Sequence, residues 1–407
     1  MKKKYLYTVL ITFVSTLLAV AIALFCVFRF TNVYNIIAGI SAKNSYTAKL
    51  ESILKGIEKD HLYDVDIEKA IDEAIKAMLE SVDDPYTYYL SAEEYQKMTT
   101  QKNPTFVGIG VTVNTSSDDY AYVINEIYEN SHLLALGIKS GDKIIAINGT
   151  SVTPENKDTL IDTIAGEEGT TVSITFKKSD NSEVTLDVER RTIRIPQAVS
   201  KVFEGDIGYI RLRSFQKVSY DDFTNKLTEL NMEHNIKALI IDLRGNGGGY
   251  KDVALKLADL FVPEGLICQT VNRHGVIHKD KSSKGLVKYP FVVLVDKTSA
   301  SASELFAGAV QDHGTGKLIG STTYGKGIVQ YTYPLSDGSY YQYTAEQWLT
   351  PNGRYIQGVG LTPDIVVELD SDVANYIDSQ PGLVPSTEYD LQLKAALDEL
   401  AKEIAKN

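Results

Sequence analysis

Residues 298–310 read TSASASELFAGAV, three serines alternating with alanines just ahead of a helix-like run. A serine hydroxyl becomes a nucleophile when a base removes its proton. The turn between a buried strand and a helix suits that use. The free amides and positive dipole end of the helix face the nucleophile there and can hold an oxyanion. The same residues also make a plain helix N-cap. Ser301-x-x-Glu304 has capping-box spacing, and taken alone that reading outweighs the catalytic one.

The choice turns on a base. The histidines are His61, His132, His234, His274, His278 and His313. Only His313 is near in sequence, 12 residues past Ser301. On a straight helix that is about 18 Å away, which fits a surface or C-terminal cap residue. Lysine is the other base. Lys326 stands between Gly325 and Gly327 in STTYGKGIVQ, an apolar and aromatic setting. Burial disfavours an ammonium and yields the neutral amine that a Ser/Lys dyad needs. A solvated loop lysine is the commoner fate of this residue type. No His/Glu cluster stands at metal-ligand spacing, so neither metal nor other cofactor is expected.

The elements that must position these residues follow an alternating pattern. KALIIDL reads as a buried strand, GNGGG as a loop and VALKLADLF as a helix. YPFVVLVD is a second buried strand, followed by KTSASAS and the helix SELFAGAVQ. Such alternation predicts an α/β core. Upstream, residues 43–100 read as helical, with Ile53, Ile57, Ala70, Ile71, Ala74, Ile75, Met78 and Leu79 at helical spacing. Asp83-Asp84-Pro85 stops that pattern. Residues 104–190 carry short β-rich runs between Gly, Asn and Asp turns. One short helix near 154–165 interrupts them, with Thr153 as N-cap and Pro154 as first residue. Residues 385–404 form a last amphipathic helix with Leu391, Leu393, Ala396, Leu397 and Leu400.

The chain has 407 residues, room for two or three domains. Tyr5–Phe28 is a run of 24 residues without a charge. As a helix it spans about 36 Å, enough to cross a bilayer with some tilt. Lys2, Lys3 and Lys4 precede it and place that end in the cytoplasm. The run is long for a signal peptide and ends in bulky residues, which favours an uncleaved anchor over a cleaved secretory signal. Either reading exports the main body. Cys26 lies in the run and Cys268 in the body, so the body forms no internal disulfide. Net charge is -12 overall. The basic N-terminus makes the remainder more acidic still, which argues against nucleic acid as a partner.

TSASASE, DLRGNGGG, YGKGIVQ and TPNGRYIQGVGLTPD, in that order, resemble the C-terminal processing peptidases, PDZ-containing Ser/Lys endopeptidases. VDDPYTYYL resembles the segment that precedes the PDZ domain in that family. FVGIGV followed by SGDKIIAINGTSV resembles the PDZ domain itself. The resemblance runs from about residue 45 to 370. It implies Ser301 as nucleophile, Lys326 as general base and Gln330 as the residue that positions the lysine. If their segment is helical, Lys326 and Gln330 share a face. The implied oxyanion hole combines the Ala302 amide with that of Gly247 or Gly248. Ser299 and Ser303 become capping or lining residues. Phe106, Val107, Gly108, Ile109 and Gly110 would present amides to the carboxylate of a peptide that adds as a strand. Two departures stand out. SHLLALG replaces the usual Ser-Pro-Ala pattern, and Ala165 stands where the family often has an arginine thought to link PDZ position to the active site.

The resulting expectation is an α/β protein, α+β overall. It has a ClpP/crotonase-like peptidase core, an inserted β-rich PDZ domain, N- and C-terminal helices and one N-terminal transmembrane helix. The divisions are 1–30 (cytoplasmic tip and anchor), 31–100 (helical region), 101–190 (PDZ), 191–370 (Ser/Lys core) and 371–407 (C-terminal helices). The expected function is membrane-anchored, extracytoplasmic serine endopeptidase activity on proteins with an apolar C-terminus. A homodimer is expected by resemblance to relatives. Two other readings remain: a catalytically inactive PDZ scaffold, and a Ser/His hydrolase built on His313.

Overall fold

The computed structural model describes residues 16–18, 20–21, 46–102, 105–115, 121–128, 130–283, 285–379, 384 and 386–406. Most of the apolar run Tyr5–Phe28 lies outside the described residues; 16–18 and 20–21 are helical. Among the described residues no helix is long and apolar enough to cross a membrane. The chain divides into two compact units, Met1–Asp83 and Asp84–Asn407.

In the first unit, residues 46–60 are helical and α1 spans Ile67–Glu80. Asp66 caps α1 by accepting the Lys69 N–H at 3.0 Å. The expected apolar stripe is there, but no residue of α1 is buried; Ile71 and Met78 are exposed.

The second unit opens with Asp84-Pro85 and a short strand that the helical reading of 43–100 did not foresee: β1 (Tyr88–Leu90), followed by α2 (Ala92–Lys102). Five of the strands up to residue 189 build one antiparallel sheet: β3 (Val111–Thr115), β4 (Tyr122–Ile127), β5 (Lys143–Ile147), β7 (Thr171–Lys177) and β8 (Glu183–Glu189), in the order β3-β4-β5-β7-β8. The two-residue β6 (Thr150–Ser151) pairs with β5. β2 (Thr105–Gly108) and β9 (Arg191–Arg194) form a separate antiparallel ribbon. Inside lie Ile109, Ile124, Leu133, Ile138, Ile144 and Phe176. The short helix starts later than Pro154. It is α3 (Lys157–Leu160) continued by a 3-10 turn to Ile164, because Asn156 Oδ1 accepts the Thr153 N–H and holds 153–156 as a turn.

The core is a six-stranded sheet in the order β10-β11-β12-β15-β16-β19. β10 (Ala198–Phe203) is antiparallel to β11 (Ile207–Leu212). β12 (Ala238–Asp242), β15 (Phe291–Val295), β16 (Lys317–Gly320) and β19 (Ile365–Val366) continue in parallel. A parallel sheet covered on both faces reads as unbroken apolar runs, as in ALIID and FVVLV. Leu239 and Ile241 point to one face, into a cluster with Phe223, Leu257, Phe261 and Phe306. These come from α4 (Ser219–His234), α5 (Lys251–Phe261) and α6 (Ala302–His313). Ala238 and Ile240 point to the other face, against Leu393, Ala396 and Leu400. A second sheet joins β1, β13 (Gly265–Asn272), β14 (Ile277–Ser282), β17 (Ile328–Pro334) and β18 (Tyr340–Leu349). Two helices end the chain, α7 (Ser371–Ser379) and α8 (Leu391–Ile404). On α8 the expected stripe divides: Leu393, Ala396 and Leu400 are buried, whereas Leu391 is exposed.

Candidate active site

Two crossover turns meet at the C-terminal ends of β12 and β15, the edge of a parallel sheet where α/β folds gather ligands. The first turn is 243–249 and the second 296–301. Asp296 organises the second. Its Oδ1 accepts the Thr298 and Ser299 amides at 3.0 and 2.9 Å, and its Oδ2 accepts the Gly245 N–H from the first turn at 3.1 Å. Ser299 Oγ donates to Leu243 O and Ser303 Oγ to Asn246 O, each at 2.8 Å. Both hydroxyls are fully buried, so Ser299 and Ser303 lace the two turns together and do not line a cleft.

Ser301 lies between them, half-buried, at φ 57 and ψ -111. L residues rarely adopt such a backbone, which costs about 1–3 kcal/mol and persists only where surroundings enforce it. Glu304 supplies that enforcement. Its carboxylate is fully buried, and Oε2 accepts the Ser301 N–H at 2.8 Å. The same Oε2 accepts the Lys326 N–H, also at 2.8 Å. Oε1 takes the Thr323 hydroxyl at 2.5 Å and the Gly325 N–H at 2.7 Å. One carboxylate oxygen therefore joins the main chains of Ser301 and Lys326.

Lys326 is half-buried. Its carbonyl accepts the Trp348 indole N–H at 3.0 Å, so its backbone is held on both sides. Its Nζ sits 4.2 Å from the centroid of the Tyr86 ring. The TPNGRYIQGVGLTPD motif backs this segment. Gln357 Oε1 accepts the Gly327 N–H at 2.8 Å, and Gly358 N–H donates to Gly325 O at 2.8 Å. A Cβ on Gly360 would lie 2.2 Å from Thr323 O, so only glycine allows the approach.

The segment after Lys326 is strand β17 and not a helix, because it pairs along its length with β18. The helical face proposed for Lys326 and Gln330 is thereby corrected. A bulge separates Val329 from Gln330, and Gln330 Nε2 reaches Thr344 Oγ1 at 3.4 Å. The two glycines of the first turn also part. Gly248 N–H donates to Asn246 Oδ1 at 2.9 Å and is engaged. A Cβ there would stand 2.6 Å from Ala300 O and 2.9 Å from Ser301 Cβ. The amides of Gly247 and Ala302 have no acceptor among the described residues. His313 closes α6 at the end opposite Ser301, with Nε2 on Leu266 O at 2.7 Å, which leaves the Ser/His reading without a base.

The model of peptidase family S41 matches residues 206–367 and the PDZ domain model matches 97–177. The chain is 33% identical over 333 residues to the carboxy-terminal processing protease CtpA of Bacillus subtilis, covering 81% of this chain and 70% of that protein. It belongs to the S41 carboxy-terminal processing proteases. A Staphylococcus epidermidis protein described as a CtpA-like serine protease is 31% identical over 78% of this chain and 65% of its own length. A solved structure assigned to the S41 proteases, from Bacteroides fragilis, covers 80% of this chain and 90% of its own with a TM-score of 0.53 at 16% identity, a likeness of fold. The chain is thus a serine-type peptidase with a PDZ domain.

In that PDZ domain, Phe106, Val107 and Gly108 lie in β2, while Ile109 and Gly110 turn into β3. Ser131 Oγ donates to Ile109 O at 2.5 Å. Gly110 has φ 79, and a Cβ there would stand 2.7 Å from Ser131 Cβ. The domain also touches the core. Arg213, directly after β11, pairs with Glu126 of β4 at 2.7 Å and lies over the Tyr128 ring. Phe106 packs edge-on against the same ring.

Proposed function

We propose that this S41 peptidase cleaves exported proteins with a Ser301/Lys326 dyad through an acyl-enzyme. The observation that carries the reading is the shared Glu304 Oε2, which draws the nucleophile's strained turn and the lysine's backbone to one point. Neutral Lys326 Nζ takes the Ser301 Oγ proton as Oγ bonds to the scissile carbonyl carbon. The negative charge that develops on the carbonyl oxygen is met by the Gly247 and Ala302 amides. Collapse breaks the C–N bond, and the ammonium gives its proton to the leaving amine. Water then gives a proton to Lys326 Nζ as its oxygen bonds to the ester carbon, and the ammonium returns that proton to Ser301 Oγ as the acyl C–O bond breaks. Gln330 would steady the lysine, the role that the family resemblance gives it.

Substrate choice falls to the PDZ domain. The turn at Gly108–Gly110 would receive a terminal carboxylate and β3, the outer strand of its sheet, would receive the peptide as an added strand. The uncharged run Tyr5–Phe28 supports membrane anchoring with the bulk of the chain extracytoplasmic. The uncovered stripe on α1 supports a homodimer.

The test uses an unfolded protein ending in apolar residues, offered to wild type, Ser301→Ala and Lys326→Ala. Wild type cleaves it and neither variant does. Equal cleavage by all three removes the dyad.

A further inference from the structure

The segment DPYTYYL precedes the PDZ domain and is built into the second sheet through β1 and β18, and one of its rings reaches the base. Asp84 shapes the turn by accepting the Tyr86 N–H at 3.1 Å and the Thr87 hydroxyl at 2.6 Å. Gln342 Nε2 donates to Tyr86 O at 2.9 Å, and β1 then pairs with β18 from Tyr88↔Gln342 to Leu90↔Tyr340. Trp348, at the other end of β18, holds the Lys326 carbonyl. The ring of Tyr86 and the main chain of Lys326 are therefore hung on the same strand. They meet with Nζ 4.2 Å from the ring centroid. Tyr86 Oη is 3.4 Å from Tyr324 Oη, which fixes the tilt of the ring.

We propose that Tyr86 is a positioning residue for the base: its ring face carries the Lys326 ammonium in the resting enzyme and sets the pH at which the free amine becomes available. This rests on the Ser301/Lys326 reading. The face of an aromatic ring attracts an ammonium and offers nothing comparable to a neutral amine. The contact therefore holds the protonated form and releases the deprotonated one, which is the form that accepts the serine proton. The phenol itself is neutral at working pH. Its pKa is pushed up to about 12, first by the hydrogen bond with Tyr324 and then by burial. Titratable groups that act on the ring or the lysine include Asp84, Glu304 and Tyr324. Burial would raise the Asp84 carboxyl, but hydrogen bonds from Thr87, Thr344 and the Tyr86 amide lower it, with a smaller contribution from the charge of the lysine.

The sign of the effect is fixed. Removing the ring lowers the lysine's pKa and moves the acid limb of the kcat/KM profile to lower pH. An ammonium–ring contact of ordinary strength corresponds to a shift of about 0.4–1.5 pH units. The experiment measures kcat/KM against pH for the full chain with a peptide ending in apolar residues. Tyr86→Leu should move the limb down by that amount. Tyr86→Phe, which keeps the ring, should keep it within about 0.3 units of wild type. Tyr86→Trp should move it up or leave it. A limb unmoved in Tyr86→Leu, or moved down equally in Tyr86→Trp, overturns the proposal. The pH dependence of Lys326 acylation by a small amine-reactive reagent, read by mass spectrometry in the Ser301→Ala background, gives the amine's pKa without turnover. It should fall in Ser301→Ala/Tyr86→Leu, and an unchanged value rejects the contact. If Lys326→Ala cleaves normally, the dyad fails instead, and the acylation result still decides whether Tyr86 holds the ammonium.

Discussion

At the scale of single residues, the site is held by a carboxylate whose visible sequence role is a helix cap. Glu304 has four donors and no contact with solvent. Glu304→Ala leaves those donors buried without an acceptor, a change of the kind that costs about 3–5 kcal/mol. The expected result is a lower urea midpoint together with a loss of kcat of at least about 100-fold, because the Ser301 turn relaxes. Glu304→Gln keeps the shape but must present an NH2 to one pair of donors, so it should fall between the two. Wild-type kcat in Glu304→Ala would contradict this role. Gly248→Ala tests the turn itself. Its Cβ would meet Ala300 O at 2.6 Å and Ser301 Cβ at 2.9 Å. Activity should fall more than stability, measured as kcat beside Tm; an unchanged kcat would show that the turn yields freely.

At the scale of elements, the last helix is tied to the turn that carries Gly247. Arg244 is fully buried between Asp242 at 2.6 Å and Asp390, the N-cap of α8, at 2.9 Å. Arg244 Nη1 also bonds Gln392 Oε1 at 3.2 Å. Asp390→Ala removes one partner of a buried charge and should destabilise by about 3–5 kcal/mol in urea unfolding. Asp390→Asn, which keeps an acceptor, should cost less; equal costs would argue that the charge does not matter. Leu400, buried against the outer face of the sheet, should cost about 2–5 kcal/mol as alanine. Legibility differed between these contributions. The stripe on α8 follows from spacing alone, whereas the Arg244–Asp390 pair joins residues 146 apart in the chain and has no local signature.

At the scale of the whole molecule, buried ion pairs set the response to acid. Burial alone would raise the Asp242 carboxyl. The charge of Arg244 and its hydrogen bonds, with help from Arg211 and Tyr209, outweigh that and hold it below the usual carboxylate range. A carboxyl with a lowered folded pKa contributes stability above its unfolded value of about 3.9 and loses it as pH falls through the folded value. The urea midpoint should therefore be level from neutral pH to about 4 and drop below it. Asp242→Asn should flatten the drop; a midpoint already falling near pH 6 would point to other groups. Arg213 and Glu126 join the PDZ domain to the end of β11, the sheet neighbour of β12, whose C-terminal end carries the first active-site turn. Each single replacement should weaken that contact, and a double-mutant cycle on kcat should show coupling. Strict additivity would mean that the pair does not transmit.

What the sequence settled by itself was local or composite: the buried apolar runs of a covered parallel sheet, the serine-rich turn before a helix, and motifs whose order identified the family. Those signals lie within a few residues or in glycines whose backbone needs are fixed. Tertiary structure alone decided which donors meet at Glu304, that the stretch after Lys326 is a strand drawn out by β18, that Asn246 occupies the Gly248 amide, and that Tyr86 lies under the lysine. Each depends on segments tens to hundreds of residues apart being brought together. Hydrogen bonding and ring contact act over a few ångströms of space, and spacing along the chain does not record that distance.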